Sequence, residues 1–348
     1  MDEKTAGLKD DGYRIEPGQS FTVDLFRPAD AVGVCRLFRA VYGDGYPVKT
    51  FIIPERLIEE NAARRVISSV ARTPKGDIVG HNALYNSAPN QRIYESGAGL
   101  VLPEYRRRGG MFVKLIAHGM DVAAKQFGVE LIFGEPVCNH RITQKASVFF
   151  GCETYALEVD LMPAEAYEKA QSATGRVATL LDFKTLEPKP HAVYLPPVYE
   201  QAMCFIYGDL DDGRELLLSA ANLPAGRKTG LDVQVFDFAR VARIAVTEAG
   251  ADFAGVFAEQ EQALLAKGMA VVQVWLKLSW PWSGEVADAL RRRGYFLGGA
   301  LPRWFGEDGM LMQRVIGRPN WEGIMLYSAR AKKLLELVKA DWENVSGK

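Results

Sequence analysis

A basic, glycine-rich stretch after an extended segment has the clearest chemical potential in this sequence. Residues 93–102 read as a strand that stops at Pro103, and apolar residues at helical spacing begin at Met111. Between them stand Arg106, Arg107, Arg108, Gly109 and Gly110. Free N–H groups at a helix start bind phosphate, glycine lets a ligand approach the backbone, and arginine adds charge-assisted hydrogen bonds. The stretch predicts a pyrophosphate cradle, although it matches neither the P-loop nor the G-x-G-x-x-G pattern.

One carboxylate lies on the same predicted strand. Alternation of side chains along a strand puts Glu95, Gly97, Gly99 and Val101 on one face, so small neighbours leave a cleft beside the carboxylate. A carboxylate in such a cleft can accept a proton as a general base. A surface glutamate at the start of a strand is equally compatible with the sequence.

The strand and the basic loop resemble the signature of the GNAT acetyltransferase superfamily, which is Q/R-x-x-G-x-G/A after a strand that often ends V-x-P-x-Y. Five residues match that pattern, namely Val101, Pro103, Tyr105, Arg106 and Gly109. The departure is Met111, where the family usually has glycine or alanine. The resemblance covers about residues 20–162, and an ordinary basic turn between a strand and a helix is the competing interpretation.

The resemblance implies that acetyl-CoA or another acyl-CoA is the co-substrate and that its acyl group passes to the amine of a small molecule. In the family, backbone N–H groups of the loop bind the pyrophosphate, and the preceding strand pairs with the pantetheine arm. The residues implied to bind the co-substrate are Leu100, Leu102, Arg106, Arg107, Arg108, Gly109, Gly110, Met111 and Asn139. No metal is implied.

Catalytic residues follow from the same resemblance. Glu95 stands eleven residues before Arg106, similar to the spacing of the base glutamate in the histone-acetylating branch, and would take the proton of the amine. Many family members protonate the departing thiolate with a tyrosine, but Ser147 occupies that position. The segment around His140 resembles a branch with H-x-x-S/T-Q-K/R, which makes His140 the candidate acid. The alternatives are a helix-capping or pantetheine-orienting His140, an acid among Tyr85, Tyr94 and Tyr105, or unassisted departure of the thiolate.

The acceptor pocket is predicted between the first two helices. Tyr42 and Tyr46 lie in the loop that covers the acceptor site in this superfamily, with Pro47 beside them. We assign Tyr42 and Tyr46 to substrate binding, while aromatic residues in such a loop can equally serve packing.

The elements that would position these residues predict an α/β (α+β) fold. Its parts are two GNAT-like mixed β-sheet domains flanked by helices, plus a C-terminal helix. A length of 348 residues suggests about two domains, and two prolines at residues 188–190 favour a boundary there. The order helix, strand, helix, glycine over residues 111–151 recurs over 253–294, which favours a duplicated unit. The predicted division is 1–188 (catalytic), 189–318 (degenerate GNAT-like) and 319–348 (a strand and a helix).

The second half looks like a copy that lost its cradle. No arginine lies between Val246 and the helix at residue 253, and Glu248 and Asp252 would repel phosphate. All six tryptophans lie between Trp275 and Trp342. We expect the side chains of Trp275, Trp280 and Trp282 to fill the vacated cleft, with acceptor binding as the alternative.

Composition narrows the partners. With 42 basic and 43 acidic residues the net charge is -1, which gives no support for nucleic-acid or anionic-membrane binding. The four scattered cysteines and four histidines show no metal-ligand or disulfide spacing, and no apolar run is long enough for a membrane span. The sequence therefore predicts a cytoplasmic acetyltransferase with a small-molecule acceptor, and it allows a homodimer. The alternative function is a non-catalytic acyl-CoA-binding or regulatory module.

Overall fold

The computed structural model describes residues 13–43, 46, 48–106, 109–165, 175–208 and 212–347. The chain divides into two compact units, Met1–Ile132 and Phe133–Lys348. Three predicted features fall on residues outside the described ones: Arg107 and Arg108 of the cradle, Pro47 of the acceptor loop, and most of a helical insertion predicted over residues 163–173.

The first unit is built on an antiparallel sheet. Its strands are β1 (Thr22–Leu25), β2 (Val66–Arg72), β3 (Ile78–Tyr85) and β4 (Ile93–Val101). β1 pairs with β2, β2 with β3 and β3 with β4, with Val66 opposite Tyr85 and Gly80 opposite Val101. β2 and β3 form a hairpin that turns at residues 74–77, because these turn residues end one run of β-formers and precede the next.

Helices cover the sheet of the first unit. They are α1 (Ala31–Tyr42), α2 (Pro54–Ala62) and α3, which begins as Met111–Ala117, passes through a π turn at His118–Ala123 and ends as Ala124–Phe127. Val34, Leu37 and Phe38 of α1 pack against β3 and β4 in one buried cluster. Met111 and Leu115 of α3 pack against Ala71, Val79 and Val101 in another cluster. The helix predicted over residues 111–127 is confirmed, and Gly128 ends it in the left-handed conformation.

The second unit contains the remaining elements. Its strands are β6 (Glu153–Met162), β7 (Val177–Thr185), β8 (His191–Leu195), β9 (Arg214–Leu218), β10 (Gly230–Phe236), β11 (Val241–Glu248), β12 (Val271–Lys277), β13 (Phe296–Leu301) and β14 (Gly309–Val315), and β5 (Leu131–Gly134) spans the division between the units. Its helices are α4 (Ile142–Phe149), α5 (Glu200–Tyr207), α6 (Phe253–Ala266), α7 (Ser283–Arg291) and α8 (Ala329–Val345).

A mixed sheet organises the second unit. β11 and β12 are parallel and α6 connects them, whereas β12–β14, β14–β13, β13–β6 and β6–β7 are antiparallel pairs. At the β13–β6 pair, Gly299 has a φ of +136°, and a Cβ there would lie 2.2 Å from the carbonyl oxygen of Tyr155. Only glycine fits this close to the backbone of β6, so the β13–β6 pairing requires glycine at residue 299.

The compact units do not divide at residue 188. Residues 133–188 belong to the second unit because β6 pairs with β13. The buried Gln313 of β14 also hydrogen-bonds to the backbone of Leu157 and Val159 at 2.8 Å each. The division of the chain into 1–188, 189–318 and 319–348 stays a prediction. One part of it needs correction: residues 319–328 form a short 3-10 turn and no strand, because Met325 N–H binds the carbonyl of Cys138 and Tyr327 N–H binds the side chain of Gln144.

The predicted fold class is confirmed. Both units combine sheets with flanking helices, and the chain ends in the predicted amphipathic helix α8, which Ser328 caps. The helix predicted over residues 253–266 has those bounds, and the next predicted helix begins earlier than expected, at Ser283. The parallel β8–β9 pair and α5 were not foreseen from the sequence.

Candidate functional site

Two consecutive glycines shape the predicted cradle. Gly109 and Gly110 have φ values of +60° and +63°, a conformation that costs other residues free energy, and Gly110 is the N-cap of α3. As glycine, Gly110 has no side chain to cap the N–H groups of the first turn. A Cβ on Gly110 would meet nothing within 4 Å, so the space beside Gly110 is open. The start of α3 therefore has the shape and dipole of an anion site.

Two cations flank the cradle. Arg106 Nε donates to the carbonyl of Val101 at 3.2 Å, which leaves its terminal nitrogens as further donors. Lys114, one turn into α3, places Nζ 3.8 Å from the position of a Cβ on Gly109 and 5.3 Å from the centroid of the Phe21 ring. Sequence reasoning missed Lys114, although its spacing of four residues from Gly110 puts it beside the loop.

Met111, the departure from the family pattern, has a packing partner. Its side chain is buried, and a Cβ on Gly80 would lie 2.7 Å from its sulfur atom. The missing side chain at Gly80 thus makes room for the large residue at 111.

The predicted pantetheine-binding strand residues are partly engaged within the protein. Leu100 is buried opposite His81, and Leu102 N–H donates to the carbonyl of Val79 at 2.9 Å. The N–H group of Leu102 therefore belongs to the contact with β3.

A β-bulge at Ala98 changes the predicted arrangement of β4. Ala98 has a φ of +49°, and the register with β3 shifts between His81 and Ala83. Gly97 faces Tyr85, whereas a Cβ on Gly99 would contact Phe112 of α3 at 2.9 Å. The prediction that Glu95, Gly97, Gly99 and Val101 share one face is therefore wrong, because an extra residue inverts the alternation.

Buried His81 holds this bulge. Its Nδ1 lies 2.9 Å from the carbonyl oxygen of Ala98, and its Nε2 lies 3.0 Å from Ser68 Oγ. Burial lowers the pKa of His81 to about 4, so the ring is neutral at physiological pH. Because a carbonyl only accepts, Nδ1 carries the proton and donates, and Nε2 accepts from the Ser68 hydroxyl. The ring thus fixes the carbonyl at the bulge in one orientation.

Glu95 is anchored by two hydroxyl groups. It lies opposite Tyr85 in the β3–β4 pair, and the phenol of Tyr85 donates to Oε1 at 2.5 Å. Ser87 donates to Oε2 at 2.8 Å. A Cβ on Gly97 would lie 2.7 Å from the Tyr85 hydroxyl oxygen, so glycine is needed there for the phenol to reach the carboxylate. Neither anchor was predicted from the sequence, where Tyr85 was only a candidate acid.

The predicted acceptor residues stack near this carboxylate. The rings of Tyr42 and Tyr46 are stacked with centroids 4.9 Å apart, and Tyr46 lies 4.9 Å from Phe38. Burial, with the neighbouring Tyr42 and the charge of Glu95, raises the pKa of Tyr46 to about 12. Burial also raises the pKa of Tyr42, and the positive charge of Arg106 opposes that rise. The negative charge of Glu95 thus acts on Tyr46, and the positive charge of Arg106 acts on Tyr42.

The other candidate acids have structural partners. Tyr94 donates to the carbonyl of Arg64 at 2.8 Å, and Tyr105 donates to that of Glu16 at 2.7 Å. In the second unit, His140 Nδ1 accepts from Ile142 N–H at 3.3 Å, which places the ring at the start of α4. The buried Asn139 precedes it.

Ser147, at the position of the family tyrosine, is bound within the second unit. It hydrogen-bonds to Asp182, whose pKa rises to about 6 because burial outweighs the hydrogen bonds from Ser147 and Thr154. Thr154 Oγ1 donates to the same carboxylate at 2.7 Å. Nothing in the residue pattern predicted these contacts of Asp182.

The corresponding junction of the second unit is filled by its own chain. Thr229 donates to Asp252 Oδ1 through its N–H and its hydroxyl, at 3.0 and 2.8 Å, at the start of α6. Gly250 N–H donates to the Thr229 hydroxyl, and a Cβ on Gly250 would lie 2.0 Å from the carbonyl oxygen of Arg227. The space beside Gly250 is thus occupied by the chain itself, whereas the space beside Gly110 in the first unit is open. The loss of a cradle from the second unit stays a prediction.

Large side chains close the end of the parallel pair in the second unit. The β11–β12 pairing stops at Ala245 and Trp275, and Lys277 Nζ then reaches the carbonyl of Thr247 at 2.9 Å. Lys277 also lies 5.2 Å from the Trp280 ring, which stacks on Trp282 at 6.0 Å. Lys277 and the two tryptophan rings thus lie just beyond the end of this pair, and their filling of a vacated cleft stays a prediction.

The described residues contain neither a candidate metal-binding group nor a candidate membrane-spanning helix. No group of three or more histidine, cysteine, aspartate or glutamate side chains in that part of the chain is arranged to hold a metal ion. Within the described ranges, no helix has the length and apolarity to span a bilayer.

No protein-family model and no curated protein matches this chain by sequence. Solved structures that resemble it include a GNAT-family acetyltransferase of Desulfovibrio desulfuricans, at 16% identity and a TM-score of 0.37, covering 48% of this chain and 99% of that one. A Salmonella typhimurium acetyltransferase with acetyl-CoA matches at 13% and 0.39, covering 49% and 97%. The spermidine/spermine N-acetyltransferase of Vibrio cholerae matches at 12% and 0.36, covering 48% and 95%.

Proposed function

We propose that this chain, which resembles GNAT-family acetyltransferases over about half of its length, is an acyl-CoA-dependent N-acyltransferase with acetyl-CoA as the favoured donor. One observation carries the proposal: β4 has an anchored carboxylate near its start and leads at its end into a glycine loop with open space beside Gly110. Glu95 is held by Tyr85 and Ser87, and the donors of α3 follow Gly110. A proton acceptor and a pyrophosphate site are the two parts that acyl transfer from CoA to an amine requires.

The open space beside Gly110 fits the diphosphate of an acyl-CoA. The first-turn N–H groups of α3 would hold it, with Arg106 and Lys114 adding positive charge. When bound, acyl-CoA would supply the reactive thioester. Backbone N–H groups of β4 on the edge away from β3 would polarise the thioester carbonyl.

Glu95 would act on the acceptor. Its carboxylate takes the proton of the ammonium, directly or through water, so that the amine lone pair can form the new C–N bond while the C–S bond breaks. The leaving thiolate takes a proton from His140 or departs without one. Tyr42 and Tyr46 would pack against the acceptor, and the negative charge of Glu95 suits a cationic amine.

The second unit would serve as a degenerate copy that binds no co-substrate. The Thr229–Asp252 contacts and the Arg227 carbonyl fill its junction. A cytoplasmic location, a homodimer, and the absence of metal, nucleic-acid and membrane partners stay predictions of the sequence.

Release of free CoA thiol tests the activity. The full chain is mixed with acetyl-CoA and a panel of amines that includes spermidine, the substrate named for one of the similar structures. General-base catalysis contributes roughly 10²–10⁴-fold, so Glu95→Gln should lower kcat by about 100-fold or more. Glu59→Gln, an exposed glutamate on α2, is the matched control and should leave the rate unchanged. Equal rates for both variants would remove Glu95 from the mechanism.

A non-catalytic acyl-CoA-binding module is the second candidate. The observation in its favour is that Ser147 binds Asp182 and His140 lies at the start of α4, so both candidate acid positions have structural contacts. Tight CoA binding without turnover of any amine would establish this alternative and exclude the enzyme.

A further inference from the structure

We propose that a second cavity of the first unit binds an anionic group, a phosphate or a carboxylate attached to an apolar body. The cavity has a volume of about 560 Å³ and lies between the N-terminal segment at residues 13–17, α1 and the end of β4. Sites for small ligands commonly have volumes of roughly 300–1,000 Å³. The inference does not depend on acyl transfer.

Arg36 is the main reason for this assignment. Its Nε is buried and has no acceptor among the described residues, and its guanidinium lines the cavity. The ring of Tyr13 covers the guanidinium, with 4.4 Å between Cζ of Arg36 and the ring centroid, a contact that uses the face of the group. A buried cationic donor without an acceptor is costly, so a ligand that supplies the acceptor would be bound favourably.

The rest of the lining has the character of an anion site with an apolar floor. Arg14 and Arg39 add two more guanidinium groups, against one carboxylate, Glu104. Apolar side chains complete the wall: Ile15, Pro17, Leu37, Ala40 and Leu102. Positive charge at one place and apolar surface at another favour a ligand with an anionic end and an apolar body over a free inorganic ion.

The wall formed by residues 13–17 is fixed in place. The Tyr13 hydroxyl donates to Asp77, and the carbonyl of Glu16 accepts from the Tyr105 hydroxyl at 2.7 Å. The carboxylate of Glu16 also pairs with Lys75 at 2.5 Å. These contacts tie the segment to the β2–β3 turn and to the turn after β4, so the cavity exists before a ligand binds.

Neither Gly109 nor Gly110 lines the cavity, whereas Leu102, which the family resemblance implies to bind the co-substrate, does line it. The anionic group could belong to a separate small molecule or to a phosphate of CoA. The chemistry at Arg36 is the same for both sources, and the experiment separates them.

Titration with phenyl phosphate and with inorganic phosphate tests the proposal, with binding followed by calorimetry on the full chain. We expect saturable binding of phenyl phosphate that is tighter than that of inorganic phosphate, because only the former uses the apolar wall. Arg36→Gln should weaken phenyl phosphate binding at least tenfold. Arg56→Gln removes the same charge from an exposed position on α2 and should leave binding unchanged. Equal affinity in both variants, or no binding to the unsubstituted protein, overturns the proposal.

A second variant avoids any dependence on the folding of Arg36→Gln. Ala40→Glu places a carboxylate at an exposed helix position that lines the cavity, and it should abolish phenyl phosphate binding by pairing with the arginines. Unchanged affinity in Ala40→Glu contradicts the assignment. Repeating the titration at saturating CoA distinguishes the sources: competition shows that the site takes a CoA phosphate, and unchanged affinity shows a separate ligand.

Discussion

Removing the phenol that anchors Glu95 should slow acyl transfer and change its pH dependence. In Tyr85→Phe the ring and its packing remain, and only the hydrogen bond at 2.5 Å to Oε1 is lost. Such bonds to charged acceptors contribute roughly 1.5–3 kcal/mol, which corresponds to about 10- to 160-fold in rate. Glu95 is half-buried, so water can partly replace the phenol, and we expect a fall in kcat of about tenfold.

Ser87 provides an internal comparison. Its hydroxyl is exposed and binds the other carboxylate oxygen at 2.8 Å. Water can take its place with little loss, so Ser87→Ala should lower kcat by less than about threefold. The order of the two effects follows from burial and does not depend on the identity of the acceptor.

The assay is a pH profile of kcat/KM with acetyl-CoA and the best amine of the panel. Losing a donor disfavours the charged carboxylate, so the acidic limb should move to higher pH in Tyr85→Phe. Tyr94→Phe is the matched control, because it removes a buried hydroxyl on the same strand that binds the carbonyl of Arg64. If both variants share one rate and one acidic limb, Tyr85 does not position the base.

Three further predictions concern the cradle, the bulge and the second unit. Gly110→Ala should weaken CoA binding at least tenfold. Gly128→Ala is the control, because Gly128 has nearly the same φ and equally open surroundings, and it should only lower the free energy of unfolding by about 1 kcal/mol. Equal CoA affinities in the two variants would show that the cradle does not lie at Gly110. The ring of His81 should stay neutral down to pH 5 in an NMR titration, and a midpoint above 6 would contradict this. Because the pKa of His81 is about 4 in the folded protein and 6.5 in the unfolded chain, the unfolded chain binds the proton first as the pH falls. His81 should therefore lower the free energy of unfolding by about 2 kcal/mol between pH 7 and pH 5. Gly250→Ala should lower the thermal stability of the protein without changing CoA affinity, because its Cβ would collide with the Arg227 carbonyl; an unchanged melting temperature would refute the close approach.

Elements with strong local patterns could be predicted from the sequence. The β2–β3 hairpin, α3 with its Gly128 end, and α6 follow from alternation, helical spacing and glycine placement, which are local properties. The open glycine loop after β4 was foreseen for the same reason. The loss of a cradle from the second unit stays a prediction from loop length and charge, and the structure adds the contacts of Thr229 and the Arg227 carbonyl at that junction.

The parts that could not be predicted depend on long-range contacts. The bulge at Ala98 is held by His81, which is 17 residues away, and nothing in the alternation of β4 announces it. The anchoring of Glu95 by Tyr85 depends on the register of β3 against β4. The packing of residues 133–188 with the rest of the second unit depends on the close approach of Gly299 to Tyr155. These two residues are far apart in the chain.

The confinement of all six tryptophans to the second unit has an optical consequence. Excitation at 295 nm selects Trp275, Trp280, Trp282, Trp304, Trp321 and Trp342, so the emission comes from the second unit alone, whereas the predicted CoA cradle and Glu95 belong to the first unit. Binding of a ligand to the cradle should therefore leave the emission unchanged unless the second unit responds. Tryptophan fluorescence thus measures communication between the units in the native chain, with no label and no substitution.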